Sequence, residues 1–549
     1  MKSEKKAYHL SIFLIKPAYT TIPQIVDVMS CELPISIEID GHGYGQLFIK
    51  RSPPVPPKWA GLFEGQIDFN ALKVPGISAV FAIEVNGSWF ALAFGHGGRF
   101  LIRDDVFEER FGLLCALNSV DPKTFRCVDV QSLDAIQSHS RIQSGVETTQ
   151  DQFGLDVEQD MLKAIVGAPM NSALGSRMSG SDSLTVHVKM ALSDLPFLLD
   201  EYRKQFEADL DATDHQWVNN ISLTKSAAVV AALEAALDAK LAAKNFDNVW
   251  LSIPEIIEWT TVAGFMYSRG HREVHPDINL QGFLKTVDSD TAISLDLLRK
   301  RKVFCADADF KPTFKNWPVA KCLYAELEYE GGKYILNDAK WFSVNADFVA
   351  RTNTDYSKIP RSTLTLPLYK GGGEGFYNAS VATAEPNRYA LLDDTKKVMH
   401  GGGHGQVEIC DLFSIDRQLI HVKLYGKSSV FSHLFAQGFV SGQLIQIDPE
   451  FRQKMKAQLI APFSDLIHED KRPAQDELTV VYAVITEEGG PTLHLPFFSR
   501  VNLNNTAKVL KGFGYKVEVL KISVDDLHAK TTKCPPNKKS KGVPKLAVH

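Results

Sequence analysis

Paired cysteines are missing from this sequence. Its 549 residues include seven cysteines, which are scattered along the chain and never form a CxxC pair. A zinc ribbon needs such pairs, and a small secreted domain held by disulfides needs many cysteines in a short chain. The cysteine pattern therefore excludes both classes and predicts reduced thiols in a cytoplasmic protein.

Long apolar runs are missing too. No stretch approaches the roughly 20 apolar residues that a membrane-spanning helix requires. The basic N-terminus leads into a short apolar run, residues 10–15, which is not followed by a small-residue cleavage site. That run predicts a first β-strand and not a signal peptide. We therefore expect a soluble protein that has no membrane partner.

An excess of positive charge is also lacking. The chain has 60 Lys and Arg against 65 Asp and Glu, a net charge of −5. This balance argues against a broadly basic coat for nucleic acid but leaves room for a local basic groove. The last twenty residues hold six lysines, three prolines and no acid. They predict a disordered basic tail that adds attraction to phosphates.

The chain is too long for one ordinary hydrophobic core, so several domains are expected. Hairpin signals near the N-terminus, such as Asn86-Gly87 between two apolar runs, predict a β-rich start. Residues 157–166 predict a helix. Overall the patterns predict an α+β protein that ends in an α/β domain with a mixed sheet. The expected segments are a β-rich domain (1–175), a mainly helical region (176–300), an antiparallel meander (301–362), the α/β domain (363–525) and the tail (526–549).

The segment Gln406–Gly438 gathers more polar residues than a structural hairpin needs, and it predicts strand, turn, strand and helix. His421 and Lys423 lie two apart on the second strand and therefore share a face. A three-residue loop pairs Asp411 with His421, whereas a four-residue loop pairs Glu408 with Lys423. A slip of one residue turns every side chain to the other face, so both registers remain open.

This arrangement resembles the core of PD-(D/E)xK nucleases, which place an Asp on one strand and an acid and a lysine on the next. Those enzymes hold a divalent metal, and an upstream helix often adds a Glu. By this resemblance Asp411 holds Mg or Mn, Lys423 acts on water or phosphate, and His421 ligates the metal or orients a group. Weaker catalytic candidates are Glu374 and Glu408, and the substrate-binding candidates are Gln437, Lys427 and Ser428.

The resemblance has one departure, because His421 stands where the nucleases have Asp or Glu. A neutral imidazole suits Mn or Zn better than Mg. Three weaker patterns compete with this interpretation. His421-x-Lys423 matches a phospholipase D motif without its following Asp, Gly426-Lys-Ser428 matches only the end of a Walker A loop, and His271 and His275 have metal-ligand spacing next to Pro276.

The whole chain resembles a bacterial family described only as sporadically distributed. The segments that carry this resemblance are FALAFGHGGRFL, QDQFGLDVEQDMLKAIVG, EICDLFSIDRQLIHVKLYGKSSVFSHLFAQG and LPFFSRVNLNNTAKVLKGFGYKVEV. The members of this family are encoded on plasmids and genomic islands and have no assigned activity. The resemblance therefore implies a role in mobile-element biology or phage defence. We therefore expect a defence protein that targets nucleic acid, DNA rather than RNA. The alternative is a non-catalytic sensor or scaffold that works as a homo-oligomer or with a partner defence protein.

Overall fold

The described part of the chain divides near Ile221 into two compact units. The computed structural model describes residues 5–39, 43–133, 138–158, 160–210, 215–268, 273–392, 398–400, 405–425, 428–490 and 492–525. Both units mix helices with sheets, as expected for a multidomain α+β protein. The finer domain boundaries stay predictions, and the basic tail from residue 526 lies outside the described residues. No helix in the described ranges is long and apolar enough to cross a membrane.

The first unit is built on a ten-stranded sheet in which neighbouring strands run antiparallel. Asn86 and Gly87 both adopt left-handed φ angles at the predicted hairpin, the geometry of a two-residue turn. Helices α2 and α3 pack against the main core of this unit. Its elements are β1 Lys6–Leu14, α1 Ile22–Ile25, β2 Ile35–Ile39, β3 Gly43–Arg51, β4 Ile77–Val85, β5 Ser88–Phe94, α2 Phe111–Ser119, β6 Phe125–Ser132, β7 His139–Thr148, β8 Asp160–Gly167, β9 Arg177–Gly180, β10 Leu184–Met190 and α3 Leu195–Glu207.

The predicted helix over 157–166 is wrong, because β8 occupies most of this run. The strand lies between β6 and β9 in the sheet. A short apolar run fits either a buried helix or a buried strand by its periodicity alone. Here the pairing with two neighbouring strands decides the outcome.

The second unit begins with a five-stranded sheet, a three-stranded sheet and several helices. Strands β16, β17 and β18 form the predicted antiparallel meander, and β11 and β12 extend it at its two edges. The elements of this part are β11 Ile221–Leu223, α4 Ala227–Ala242, β12 Val249–Leu251, β13 Gly264–Met266, α5 Leu280–Leu284, α6 Leu295–Lys300, β14 Lys302–Ala306, β15 Pro312–Pro318, α7 Val319–Cys322, β16 Leu323–Tyr329, β17 Gly332–Asn337, β18 Lys340–Val344 and α8 Ala346–Ser357.

The second unit ends in a five-stranded mixed sheet, in the order β19-β22-β23-β24-β25. The first three strands are antiparallel neighbours, and β23, β24 and β25 run parallel. The elements are α9 Glu374–Ala384, β19 Tyr389–Leu391, β20 Val398–His400, β21 Gly405–Val407, β22 Leu412–Ser414, β23 Gln418–Leu424, α10 Ser428–Ile447, α11 Pro449–Gln458, β24 Thr479–Thr486, α12 Phe497–Gly512 and β25 Lys516–Ser523.

Helices cover both faces of this sheet. Tyr377 and Val381 of α9 belong to the core on one face, whereas α10 and α12 contribute to the core on the other. All eight residues of β24 are buried, which explains why its sequence is continuously apolar and does not alternate. The C-terminal domain thus has the predicted mixed sheet, in which β23, β24 and β25 run parallel. Its carboxyl edge is where the candidate residues meet.

Candidate functional site

The hairpin between β22 and β23 has the three-residue loop. Leu412 pairs with Ile420 and Phe413 with Leu419, which leaves residues 415–417 as the loop. Arg417 closes it with a left-handed φ of 60°. Of the two registers that the sequence allowed, this one brings Asp411 opposite His421. The register therefore places Asp411 beside β23 and does not pair Glu408 with Lys423.

Glu374 is fixed at the carboxyl end of β23. Its Oε2 lies 2.8 Å from Nζ of Lys423. Its Oε1 accepts a hydrogen bond of 2.9 Å from the backbone N–H of Leu424. Gly373 enters α9 with a left-handed φ of 90°, which glycine adopts without strain, and Glu374 follows as the first helical residue. The upstream helix α9 thus supplies a carboxylate to Lys423.

Asp411 and Glu408 lie in the segment that leads from β21 into β22. Oδ2 of Asp411 accepts a 2.6 Å hydrogen bond from the backbone N–H of Val422. Nε2 of Gln437, on α10, donates to the carboxylate of Glu408. Both carboxylates are half-buried. The hairpin, α9 and α10 therefore bring together four of the predicted residues around Lys423.

The electrostatics of Lys423 reflect these neighbours. Burial lowers the pKa of its ammonium, but the hydrogen bond and charge of Glu374, with the charges of Asp411 and Glu408, raise it further, so the net pKa lies above its usual value. Lys423 is therefore protonated at neutral pH and serves as a fixed positive charge, not as a base. With one positive and three negative groups, the cluster keeps an excess of negative charge.

His421 lies on β23, two residues before Lys423. Its side chain is buried, and its Nε2 has no hydrogen-bond partner among the described residues. Burial alone lowers its pKa to about 3, so the ring is neutral at physiological pH. The ring packs against Tyr482 of β24 with centroids 6.0 Å apart. No contact tests the prediction that His421 ligates a metal.

The other predicted residues are Ser428, Lys427 and His271. Ser428 begins α10, and both Lys427 and His271 lie outside the described residues. Within the described ranges no group of three or more His, Cys, Asp or Glu side chains is arranged to hold a metal ion. The predicted Mg or Mn site stays a prediction.

Sequence reasoning missed the backbone groups that hold the acids. The N–H groups of Val422 and Leu424 each bind one carboxylate oxygen, of Asp411 and Glu374 respectively. It also assigned Gln437 to substrate, whereas the amide donates to Glu408. Every residue except proline has a backbone N–H, so the residue types at 422 and 424 could not signal these contacts.

The comparisons with known proteins place the chain in a family. The model of a family of unknown function, DUF6119, matches residues 10–523. The chain belongs to the DUF6119 family. This agrees with the resemblance to an uncharacterised family and leaves the activity of DUF6119 to be argued from the site. No curated protein matches the chain, and no solved structure matches it.

Proposed function

We propose that the C-terminal α/β domain cleaves phosphodiester bonds in nucleic acid with the help of Mg or Mn. The observation that carries this proposal is the position of Lys423. It lies at the end of β23, paired with Glu374 from the upstream helix and close enough to Asp411 and Glu408 for their charges to raise its pKa. A lysine on a strand, with acids from the preceding segment and from an upstream helix, is the arrangement that the resemblance to PD-(D/E)xK nucleases implies.

The charge of the cluster supports a requirement for a divalent cation. Three carboxylates around one ammonium repel a phosphodiester, which is itself an anion. The donors are hard carboxylate oxygens, the ligands that Mg and Mn prefer. Mg keeps several waters and commonly uses only one or two protein carboxylates together with substrate phosphate. A site of this kind is compatible with a structure that lacks a group of three protein ligands in its described part.

The residues then have distinct roles. The cation would supply Lewis-acid polarisation of the phosphate and would neutralise the carboxylates. Lys423 stays protonated and donates hydrogen bonds to a phosphate oxygen on which negative charge develops. Val422 N–H holds the carboxylate of Asp411, and Glu374 holds Lys423 against the strand end. Both groups are thereby preorganised before substrate arrives.

A second candidate function is binding without cleavage, as a sensor or scaffold subunit of a defence system. The observation that favours it is His421, a buried neutral ring at the position where the nucleases have an acid. In that case Lys423 contacts phosphate and the basic tail adds attraction. The role in defence against phages or mobile elements rests on the family resemblance alone.

The test compares wild type with Lys423→Ala. Plasmid, linear DNA, single strands and RNA are incubated with each protein in Mg, in Mn and in EDTA. We expect cutting that depends on the metal and falls by about 100-fold or more in Lys423→Ala. The matched control is Lys454→Ala, which removes a lysine paired with Glu450 on α11 of the same unit. All variants are first checked for equal melting temperature.

The possible results separate the two functions. Intact substrates with every metal, together with salt-sensitive binding that Lys423→Ala weakens, contradict the nuclease and favour the sensor. Cutting that persists in EDTA contradicts the metal requirement. Equal cutting by Lys423→Ala and wild type excludes Lys423 from the reaction.

A further inference from the structure

We propose that the first unit binds a free aliphatic carboxylate, a medium-chain fatty acid, in an apolar cavity on the face of its ten-stranded sheet. The cavity has a volume of about 360 Å³ and lies beside the start of α3. All of its lining residues belong to the first unit. This inference is therefore independent of the function proposed for the C-terminal domain.

The cavity has the dimensions of a small-molecule site. Its floor consists of buried side chains from three neighbouring strands, Leu10 of β1, Phe81 of β4 and Leu92 of β5. Its opening is marked by Tyr8 and Leu192, each 45% exposed. Protein interiors are close-packed and contain few voids larger than a water molecule, whereas ligand sites measure about 300–1,000 Å³. A space of this volume that opens to solvent is therefore not a packing defect.

The lining selects an aliphatic chain for the buried part of the ligand. Among the described side chains that line the cavity, Tyr8 alone carries a polar group, and the others are Leu, Ile, Phe and Met. A polar group that is buried in such surroundings without a hydrogen bond is unfavourable. A nucleotide, a sugar or an extended peptide would bury several such groups, whereas an aliphatic chain buries none.

The charge at one end of the cavity selects an anionic head group. Lys6 and Tyr8 are two residues apart on β1, so their side chains share a face of the strand. Lys6 also lies opposite Met190 of β10, another residue that lines the cavity. The preceding Lys5 pairs with Asp194 at 3.0 Å, but Lys6 is exposed and has no ion pair among the described residues. Its ammonium is the one that a carboxylate at this end would meet.

The test is isothermal titration calorimetry of the full chain with decanoate, octanoate and the uncharged 1-octanol, all below the concentrations at which they aggregate. We expect saturable binding that tightens by up to about fourfold for each added methylene. Octanoate should bind about two- to fivefold more tightly than octanol, which is the gain expected of an exposed ion pair.

The head group is tested with Lys6→Gln. This variant should bind octanoate and octanol equally, because it removes the ion pair and keeps the apolar lining. Lys189→Gln is the matched control. Lys189 lies opposite Ala7 and therefore on the other face of the sheet, so this variant removes the same charge and should keep the preference for octanoate.

The cavity itself is tested with Leu192→Asp, which places a carboxylate at the opening. Decanoate should bind more than about tenfold more weakly, because the new charge is unfavourable beside an apolar chain and repels the ligand. Phe197→Asp is the matched control, since Phe197 is exposed on α3 and does not line the cavity. It should bind decanoate as wild type does. All variants are first checked for equal melting temperature.

The alternative occupants give different results. Absence of decanoate binding, or an affinity that does not change with chain length, overturns the inference. Loss of the octanoate preference in both lysine variants shows attraction to the overall charge and overturns it too. Binding to phosphatidylglycerol vesicles without binding of free decanoate identifies a membrane surface instead. A dimer that Leu192→Asp dissociates in sedimentation velocity, without decanoate binding, shows that a second copy covers the cavity.

Discussion

Lys423 is protonated because of its neighbours, and Glu374 is the nearest of them. Burial opposes the charge of the ammonium, while the 2.8 Å ion pair with Glu374 favours it. The charges of Asp411 and Glu408 act in the same direction. A change at Glu374 should therefore be visible in the titration of Lys423.

Glu374→Gln should lower the pKa of Lys423, since it removes the largest favourable contribution and leaves the burial cost in place. The measurement is the rate at which acetic anhydride labels Lys423 as a function of pH, read by mass spectrometry. Glu450→Gln, whose partner is Lys454, should leave this titration unchanged. An unaltered labelling profile in Glu374→Gln would contradict the ion pair.

His421 makes the stability of the C-terminal domain depend on pH. Burial lowers its folded-state pKa from 6.5 to about 3, so the folded chain holds a neutral ring where the unfolded chain takes up a proton. The stability that comes from the neutral ring is fully present above pH 6.5. It decreases as the pH falls from 6.5 towards 3.

His421→Leu should remove this dependence. Below pH 6.5 wild type should lose about 1.4 kcal/mol of unfolding free energy per pH unit relative to the variant. At pH 7.5 the variant should be at least as stable, because the substitution removes a buried nitrogen without a described partner. The measurement is the urea midpoint of the second unit at pH 7.5 and 5.5, followed by pulse proteolysis. If the difference in unfolding free energy between wild type and His421→Leu is the same at both pH values, His421 is not the source of the pH dependence.

At the scale of elements, the site depends on how closely α10 approaches β24. A Cβ atom added to Gly438 would lie 2.6 Å from the hydroxyl oxygen of Tyr482. Tyr482 cannot retreat, because it is fully buried and its hydroxyl donates to the carbonyl of Phe435. Gly438 therefore lets α10 lie flat on the strand and brings Gln437 to Glu408.

Gly438→Ala should destabilise the second unit by about 1–3 kcal/mol through overpacking. Gly512→Ala is the matched control at the end of α12, where an added Cβ meets no atom within 4 Å. At this position the better helix propensity of alanine should stabilise the second unit by up to about 1 kcal/mol. Melting temperatures of the two variants provide the measurement. Equal changes in melting temperature in the two variants would show that helix propensity, and not packing against Tyr482, determines the effect of Gly438→Ala.

At the scale of the whole molecule, the meander and the C-terminal sheet belong to one unit. Glu326 of β16 is buried and accepts a 3.1 Å hydrogen bond from the N–H of Phe497, the first residue of α12. Burial raises its pKa, although the nearby Lys333 and Arg500 and the Phe497 N–H oppose this. One carboxylate of the meander therefore caps the helix that packs beside α10.

Glu326→Ala should lower the unfolding free energy of the second unit by about 1–3 kcal/mol, because it leaves a buried N–H without its acceptor. Glu326→Gln keeps an acceptor and should lower the unfolding free energy less. Because the folded-state pKa is raised, wild type also loses stability as the pH rises above 4.5, and the glutamine variant should not. The measurement is hydrogen exchange followed by mass spectrometry. In Glu326→Ala, the backbone amides of both β16 and α12 should exchange faster than in wild type. Faster exchange in α12 alone would contradict a shared folding unit.

Much of the fold could be predicted from local patterns. Asn86-Gly87 marked its hairpin, and the segment 406–438 predicted two strands followed by a helix, which are β22, β23 and α10. The strand at 160–167 could not be distinguished from a helix, since a short apolar run fits both. The candidate residues were found by type and spacing, but their partners were not. Asp411 binds a backbone N–H, and Gln437 binds Glu408.

The sequence by itself determined the mixed architecture and the order of strand, strand and helix around Lys423. These follow from side-chain periodicity and residue identity, which are local properties of the chain. Only the tertiary structure decided the register of the hairpin, the burial of His421 and the convergence of three carboxylates on Lys423. Each depends on pairings between distant segments, because strand register and helix packing determine which side chains meet.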